Sequence, residues 1–88
     1  MPNTVILKPA AEKQFRALPG KDQKRVAQVL DQLESTSTPD GCKKLSNNDD
    51  VWRVRKGPYR VLYTSPNDDG EIEVLKIAHR RDAYKGFN

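Results

Sequence analysis

The residues with the most chemistry to offer lie in the second half of the chain. Arg53, Arg55, Lys56 and Arg60 crowd around Gly57-Pro58, and the run His79-Arg80-Arg81-Asp82-Ala83-Tyr84 follows further on. A guanidinium group keeps its charge at any working pH and grips phosphate through two parallel N–H bonds. His79 is the only histidine, and imidazole is the side chain whose unperturbed pKa lies near neutrality, so it is a candidate general base. Tyr84 can stack on a nucleobase or donate from its phenol. Side chains of these types in these positions point to chemistry on a phosphodiester.

Those residues need a scaffold that gathers them. A two-residue turn at Gly57-Pro58 pairs Lys56 with Tyr59, hence Arg55 with Arg60, Val54 with Val61, Arg53 with Leu62 and Trp52 with Tyr63. Because side chains alternate across a sheet, Trp52, Val54, Val61 and Tyr63 share one face, while Arg53, Arg55, Arg60 and Leu62 share the other. The apolar face belongs against helices. Opposed arginines cost on the order of a few tenths of a kcal/mol, a cost that a bound anion offsets.

The helices come earlier. Thr4–Leu7 reads as a short strand, and Pro9 suits the first turn of a helix. Ala11, Phe15 and Leu18 form one apolar stripe, closed by Pro19-Gly20. Val26, Val29, Leu30 and Leu33 form a second stripe on a helix running from about Lys21 to Glu34. Ser35 to Asp50 has loop composition, with Leu45 as an internal anchor and Lys43 and Lys44 turned to the ligand. Strands are expected at Val51–Lys56, Tyr59–Ser65 and Glu71–Arg80. The order β-α-α-β-β-β predicts an α+β fold with a helical hairpin packed on a mostly antiparallel twisted sheet. Along the last strand Ile72 and Val74 have one parity while Leu75 and Ile77 have the other. This predicts apolar groups on both faces and a groove for an amphipathic partner helix.

With 88 residues the chain is expected to form one domain, residues 1–88. Hydrophobic residues make up 35% and charged residues 32%, which leaves a thin core. The net charge is +4. From Val51 onward the bases are Arg53, Arg55, Lys56, Arg60, Lys76, Arg80, Arg81 and Lys85, and most of the acids sit at the turn near Asp68. The uneven distribution favours a polyanionic partner. A lone cysteine, Cys42, excludes an internal disulfide and fits a reducing compartment. No segment reads as a signal peptide or a membrane span, so a cytoplasmic location is expected. No cluster with metal-ligand spacing occurs, and no cofactor is expected.

The run Trp52-Arg53-Val54-Arg55-Lys56-Gly57-Pro58-Tyr59-Arg60-Val61-Leu62-Tyr63 resembles the core of the RelE/ParE toxin superfamily. The run Ile77-Ala78-His79-Arg80-Arg81-Asp82-Ala83-Tyr84 resembles the end of its last strand, and the opening from Val5 to Leu33 also fits. The resemblance implies a toxin of a type II toxin–antitoxin system. It further implies a metal-independent, ribosome-dependent endonuclease that cuts messenger RNA in the ribosomal decoding site, and an antitoxin that binds it as a hetero-oligomer.

Carried onto this sequence, the resemblance makes Arg53, Arg55, Arg60, Arg81 and Tyr84 catalytic candidates, and His79 joins them on its own chemistry. Lys43, Lys44, Lys56, Arg80 and Lys85 become RNA-binding candidates. One departure bears on mechanism: the best-known family member has lysines where Arg53 and Arg55 stand. Cleavage requires deprotonating the ribose 2′-OH, stabilising an anionic phosphorane and protonating the leaving 5′ oxygen. Arginine does not readily give up its proton. Either His79 is the base, or the arginines act electrostatically and the proton leaves through water or the RNA. The alternative within the same superfamily is a ParE-like toxin that poisons DNA gyrase without cutting RNA.

Overall fold

The computed structural model describes residues 3–45 and 50–82. Its elements are β1 (Thr4–Leu7), α1 (Pro9–Ala17), α2 (Gly20–Ser35), β2 (Cys42–Lys44), β3 (Val51–Lys56), β4 (Tyr59–Thr64) and β5 (Glu71–His79). Pro9 occupies the first turn of α1, where its missing N–H removes nothing from the helical ladder. Pro19 separates the two helices. Gln23 on α2 donates to the carbonyls of Phe15 (3.2 Å) and Arg16 (3.1 Å), satisfying groups that the end of α1 leaves unpaired. The hairpin is thereby tied at its bend.

The five strands lie in the order β1-β5-β4-β3-β2. Strand β1 runs parallel to β5, and the other three pairings are antiparallel. Both helices cover one face. Ala11, Val26, Val29 and Leu33 from the helices meet Val54, Val61, Tyr63, Ile72, Val74 and Ile77 from the sheet in one buried cluster. Two helices on one face of a mostly antiparallel sheet is the α+β architecture expected from the sequence.

Two expectations are corrected. The stretch from Ser35 to Asp50 is not all loop, because Cys42–Lys44 joins the sheet as an edge strand, with Lys43 opposite Arg53. Three residues, two of them lysine, carry no readable apolar period; the open edge of β3 recruits them. Ile77 does not lie on the face opposite Ile72 and Val74. Leu62 pairs with Lys76 while Tyr63 pairs with Val74, so Leu75 is an extra residue in a β-bulge. The bulge resets the alternation, and Ile72, Val74 and Ile77 all enter the helix-side core. The groove expected from their parity therefore does not include Ile77.

Candidate nucleic-acid interface

The β3–β4 turn is built as the sequence requires. Gly57 has φ of +58°, and Pro58, locked to negative φ, follows it, a combination suited to a type II′ hairpin turn. The resulting register places Arg53 opposite Leu62, Arg55 opposite Arg60, and Lys56 opposite Tyr59. Trp52 and Tyr63 lie together on the helix side, where Tyr63 is fully buried and Trp52 donates from its indole to Ser65 Oγ at 2.8 Å.

On the face away from the helices, two rows of side chains cross the sheet. One row runs Lys43, Arg53, Leu62, Lys76, and the next runs Arg55, Arg60, Ala78. Lys76 reaches this face only because of the bulge at Leu75; simple alternation from Ile72 and Val74 would turn it towards the helices. Lys76 Nζ donates to the backbone carbonyl of Asp82 at 2.7 Å, tying the turn after β5 to the same face. The acids of this face, Glu71 and Glu73, sit at the far end of β5. Glu71 accepts from Asn67 (2.9 Å), and Glu73 pairs with Lys8 (3.0 Å).

The arginines are oriented without being neutralised. Arg53 is only 8% exposed, and its guanidinium donates to the carbonyl of Gly41 at 3.2 Å. Gly41 takes φ of +86° at the entry to β2, a conformation that favours glycine. Arg60 donates to the carbonyls of Gly57 (3.3 Å) and Tyr59 (3.1 Å). Among the described residues no carboxylate forms an ion pair with Lys43, Arg53, Arg55, Arg60, Arg80 or Arg81. Carbonyl acceptors fix a guanidinium in space and leave its positive charge intact. Burying such a charge is costly unless an anion accompanies it. Leu62 lies fully buried between Arg53 and Lys76, outside the helix-side cluster, and supplies an apolar floor beneath the cations.

Not every candidate is on this face. Lys44 shares its row with Trp52 and Tyr63, and Lys56 shares its row with Tyr59 and His79, so both belong to the opposite side of the sheet. His79 is likewise on the helix side. Its ring meets Tyr59 edge-on with centroids 5.9 Å apart, and its Nδ1 accepts from the backbone N–H of Arg81 at 3.3 Å. The structure does not bring the imidazole together with Arg53, Arg55 and Arg60. Arg80 and Arg81 are exposed in the turn after β5, with the Arg80 N–H on the carbonyl of Pro58 at 2.7 Å. Tyr84 and Lys85 lie outside the described residues. The sequence reading missed Lys76, since the bulge hides its parity, and the carbonyl of Gly41, since β2 was read as loop.

A Lys/Arg surface with an apolar floor and undischarged guanidiniums can hold successive phosphates and stabilise added negative charge on one of them. The family model described as the ParE toxin of the type II toxin–antitoxin system parDE matches residues 5–84. The protein RelE1 of Methanocaldococcus jannaschii is 34% identical over 76 residues, covering 83% of this chain and 84% of that protein. The RelE–RelB complex of Pyrococcus horikoshii superposes with a TM-score of 0.79 at 30% identity, covering 94% of this chain and 100% of the other. The isolated Escherichia coli RelE toxin superposes with a TM-score of 0.77 at 15% identity, covering 88% of this chain and 83% of that one.

Proposed function

We infer that this chain, which belongs to the ParE toxin family of type II toxin–antitoxin systems, acts by cutting messenger RNA in the decoding site of the ribosome. The observation that carries this reading is the group of guanidiniums on the helix-free face that no described carboxylate pairs, with Arg53 and Arg60 each held on backbone carbonyls. In this account Arg53, Arg55 and Arg60 bind the scissile phosphate, and Arg80 and Arg81 reach the same end of the sheet from the turn after β5. Their task is electrostatic: to stabilise the dianionic phosphorane as the ribose 2′-oxygen attacks phosphorus and the 5′-oxygen departs. The position of His79 on the other side of the sheet favours the route in which the 2′-OH proton leaves through water or the RNA and the departing 5′-oxygen takes its proton from water. Lys43, Lys76 and Lys85 extend the grip along the strand, and Tyr84 stacks on a base.

The partner is a cognate antitoxin, bound as a hetero-oligomer. Support comes from the Pyrococcus relative, which was solved as a RelE–RelB complex. No described helix is long and apolar enough to cross a membrane, and the proposed site of action is the cytoplasm.

A second reading is favoured by the family match itself, which carries the ParE name: a toxin that poisons DNA gyrase and leaves RNA intact. One experiment separates the two. The chain is induced briefly without antitoxin, and messenger RNA ends and plasmid supercoiling are mapped in the same cells. New ends within translated regions support cleavage. Altered supercoiling over intact messages supports gyrase poisoning.

A further inference from the structure

The β3–β4 turn carries more than the hairpin it closes. Its Gly57 and Tyr59 carbonyls hold the Arg60 guanidinium, and its Pro58 carbonyl accepts the backbone N–H of Arg80. Two of the proposed phosphate-binding arginines are therefore referenced to one two-residue loop. On the cationic face the loop is met by the Arg60 guanidinium itself, which stands opposite the like-charged Arg55. A hairpin tip with few fixed contacts opens readily.

Further contacts lie on the other side of the sheet. The Tyr59 hydroxyl donates to Asp22 Oδ2 at 3.2 Å, joining the turn to the start of α2. Asp22 Oδ1 lies 3.9 Å from Arg25 Nη1, and that guanidinium lies over Gly57, where an added Cβ would sit 3.2 Å from it. His79 packs its ring edge-on to Tyr59 while its Nδ1 accepts the N–H of Arg81. Burial, and then the Asp22 carboxylate, hold the Tyr59 phenol above its ordinary pKa, so it stays protonated and donates. The helix start, the hairpin tip and the turn after β5 thus meet through three side chains.

We propose that Asp22, Tyr59 and His79 form a latch on the helix side of the sheet that positions Arg60, Arg80 and Arg81 on the opposite face. These are positioning residues, acting through the arginines and not on the RNA. The catalytic consequence rests on the cleavage reading above; the positional one does not.

Tyr59→Phe deletes the hydroxyl and keeps the ring against His79. Two readouts decide the matter in folded protein: the order of the Arg60 guanidinium, from its 15Nε–1H heteronuclear NOE together with hydrogen exchange at the Arg80 amide, and single-turnover cleavage in a cycle with Arg60→Ala. The latch predicts a lower NOE, faster Arg80 exchange, and a cleavage loss on the order of tenfold in the Arg60 protein. In the Arg60→Ala background the same change should cost less than about twofold, since coupled residues are non-additive. Asp22→Ala should reproduce Tyr59→Phe, while Asp22→Asn, which keeps an acceptor oxygen, should stay near the parent. Unchanged Arg60 order and Arg80 exchange in Tyr59→Phe, or equal cleavage losses in both backgrounds, would overturn the proposal. If the parent protein cuts no RNA, the cleavage reading fails and the NMR readouts still decide the latch.

Discussion

Arg55 and Arg60 stand directly opposite one another across the β3–β4 hairpin, on the face that no helix covers. Like charges in that position destabilise a sheet, and the Arg60 head group is held there by carbonyls that do nothing to discharge it. Stability has been given up locally for a concentration of positive charge. The first prediction follows: Arg55→Gln should raise the free energy of unfolding by about 0.2–1 kcal/mol while weakening affinity for a non-cleavable 2′-O-methyl RNA. Urea unfolding and RNA titration of the same variant check both signs. A variant that is less stable, or that binds RNA as well as the parent, contradicts the assignment.

The two lysines of β2 should behave differently although they are neighbours. Lys43 lies in the row of Arg53, Leu62 and Lys76, and Lys44 in the row of Trp52 and Tyr63 on the other side. For single-stranded RNA each phosphate contact contributes a slope of about −0.7 to log affinity against log salt. Lys43→Gln should reduce the magnitude of that slope by about 0.7, and Lys44→Gln should leave it unchanged. Equal effects would show that β2 does not direct Lys43 to the ligand.

How far these assignments were legible beforehand differs by residue. The β3–β4 register follows from a Gly-Pro turn flanked by strict alternation, so the faces of Arg53, Arg55 and Arg60 could be read directly. The face of Lys76 could not, because a bulge is a single extra residue with no compositional mark, and it reversed the apparent parity of Ile77 as well. Strand β2 is set by pairing with β3 and not by its own pattern, which also concealed Gly41 as the acceptor for Arg53. The same bulge hid the placement of His79: simple alternation from Ile72 and Val74 sets it on the cationic face, whereas the extra residue brings it opposite Tyr59, on the helix side.

His79 provides the third prediction. With its ring on the helix side of the sheet, against Tyr59, it should not be the proton acceptor. Loss of a general base lowers a rate by about 10²–10⁴. In His79→Phe, which keeps an aromatic edge against Tyr59, single-turnover cleavage on programmed ribosomes should fall by less than about tenfold, a smaller loss than removal of a base. A loss of a thousandfold in a folded variant would restore the imidazole to the reaction.

Alkaline stability supplies a fourth test, independent of function. Tyr63 is buried and its hydroxyl donates to the carbonyl of Ser37 at 2.8 Å. Burial, and then the neighbouring Cys42 thiol, push its pKa far above the ordinary tyrosine value. The folded state therefore keeps this proton where the unfolded chain releases it. Stability is unaffected by the group below the unfolded pKa of about 10 and falls as pH rises past it, by up to about 1.4 kcal/mol per pH unit. Denaturant unfolding between pH 8 and 11 should show that decline, and Tyr63→Phe should be less stable at pH 8 yet decline less steeply above 10. Parallel curves would mean that Tyr63 does not keep its proton in the folded state.

The central claim is that Arg60 clamps the scissile phosphate through its fork of N–H donors. Single-turnover cleavage of messenger RNA on programmed ribosomes, with folding verified for each protein, tests it most directly. Arg60→Ala should raise the barrier by about 2–4 kcal/mol, comparable to deleting an oxyanion donor. Arg60→Lys, which keeps the charge and loses the bidentate geometry, should recover only part of that loss. Parent-like cleavage by folded Arg60→Ala would contradict the clamp and remove the main support for reading this protein as an endonuclease.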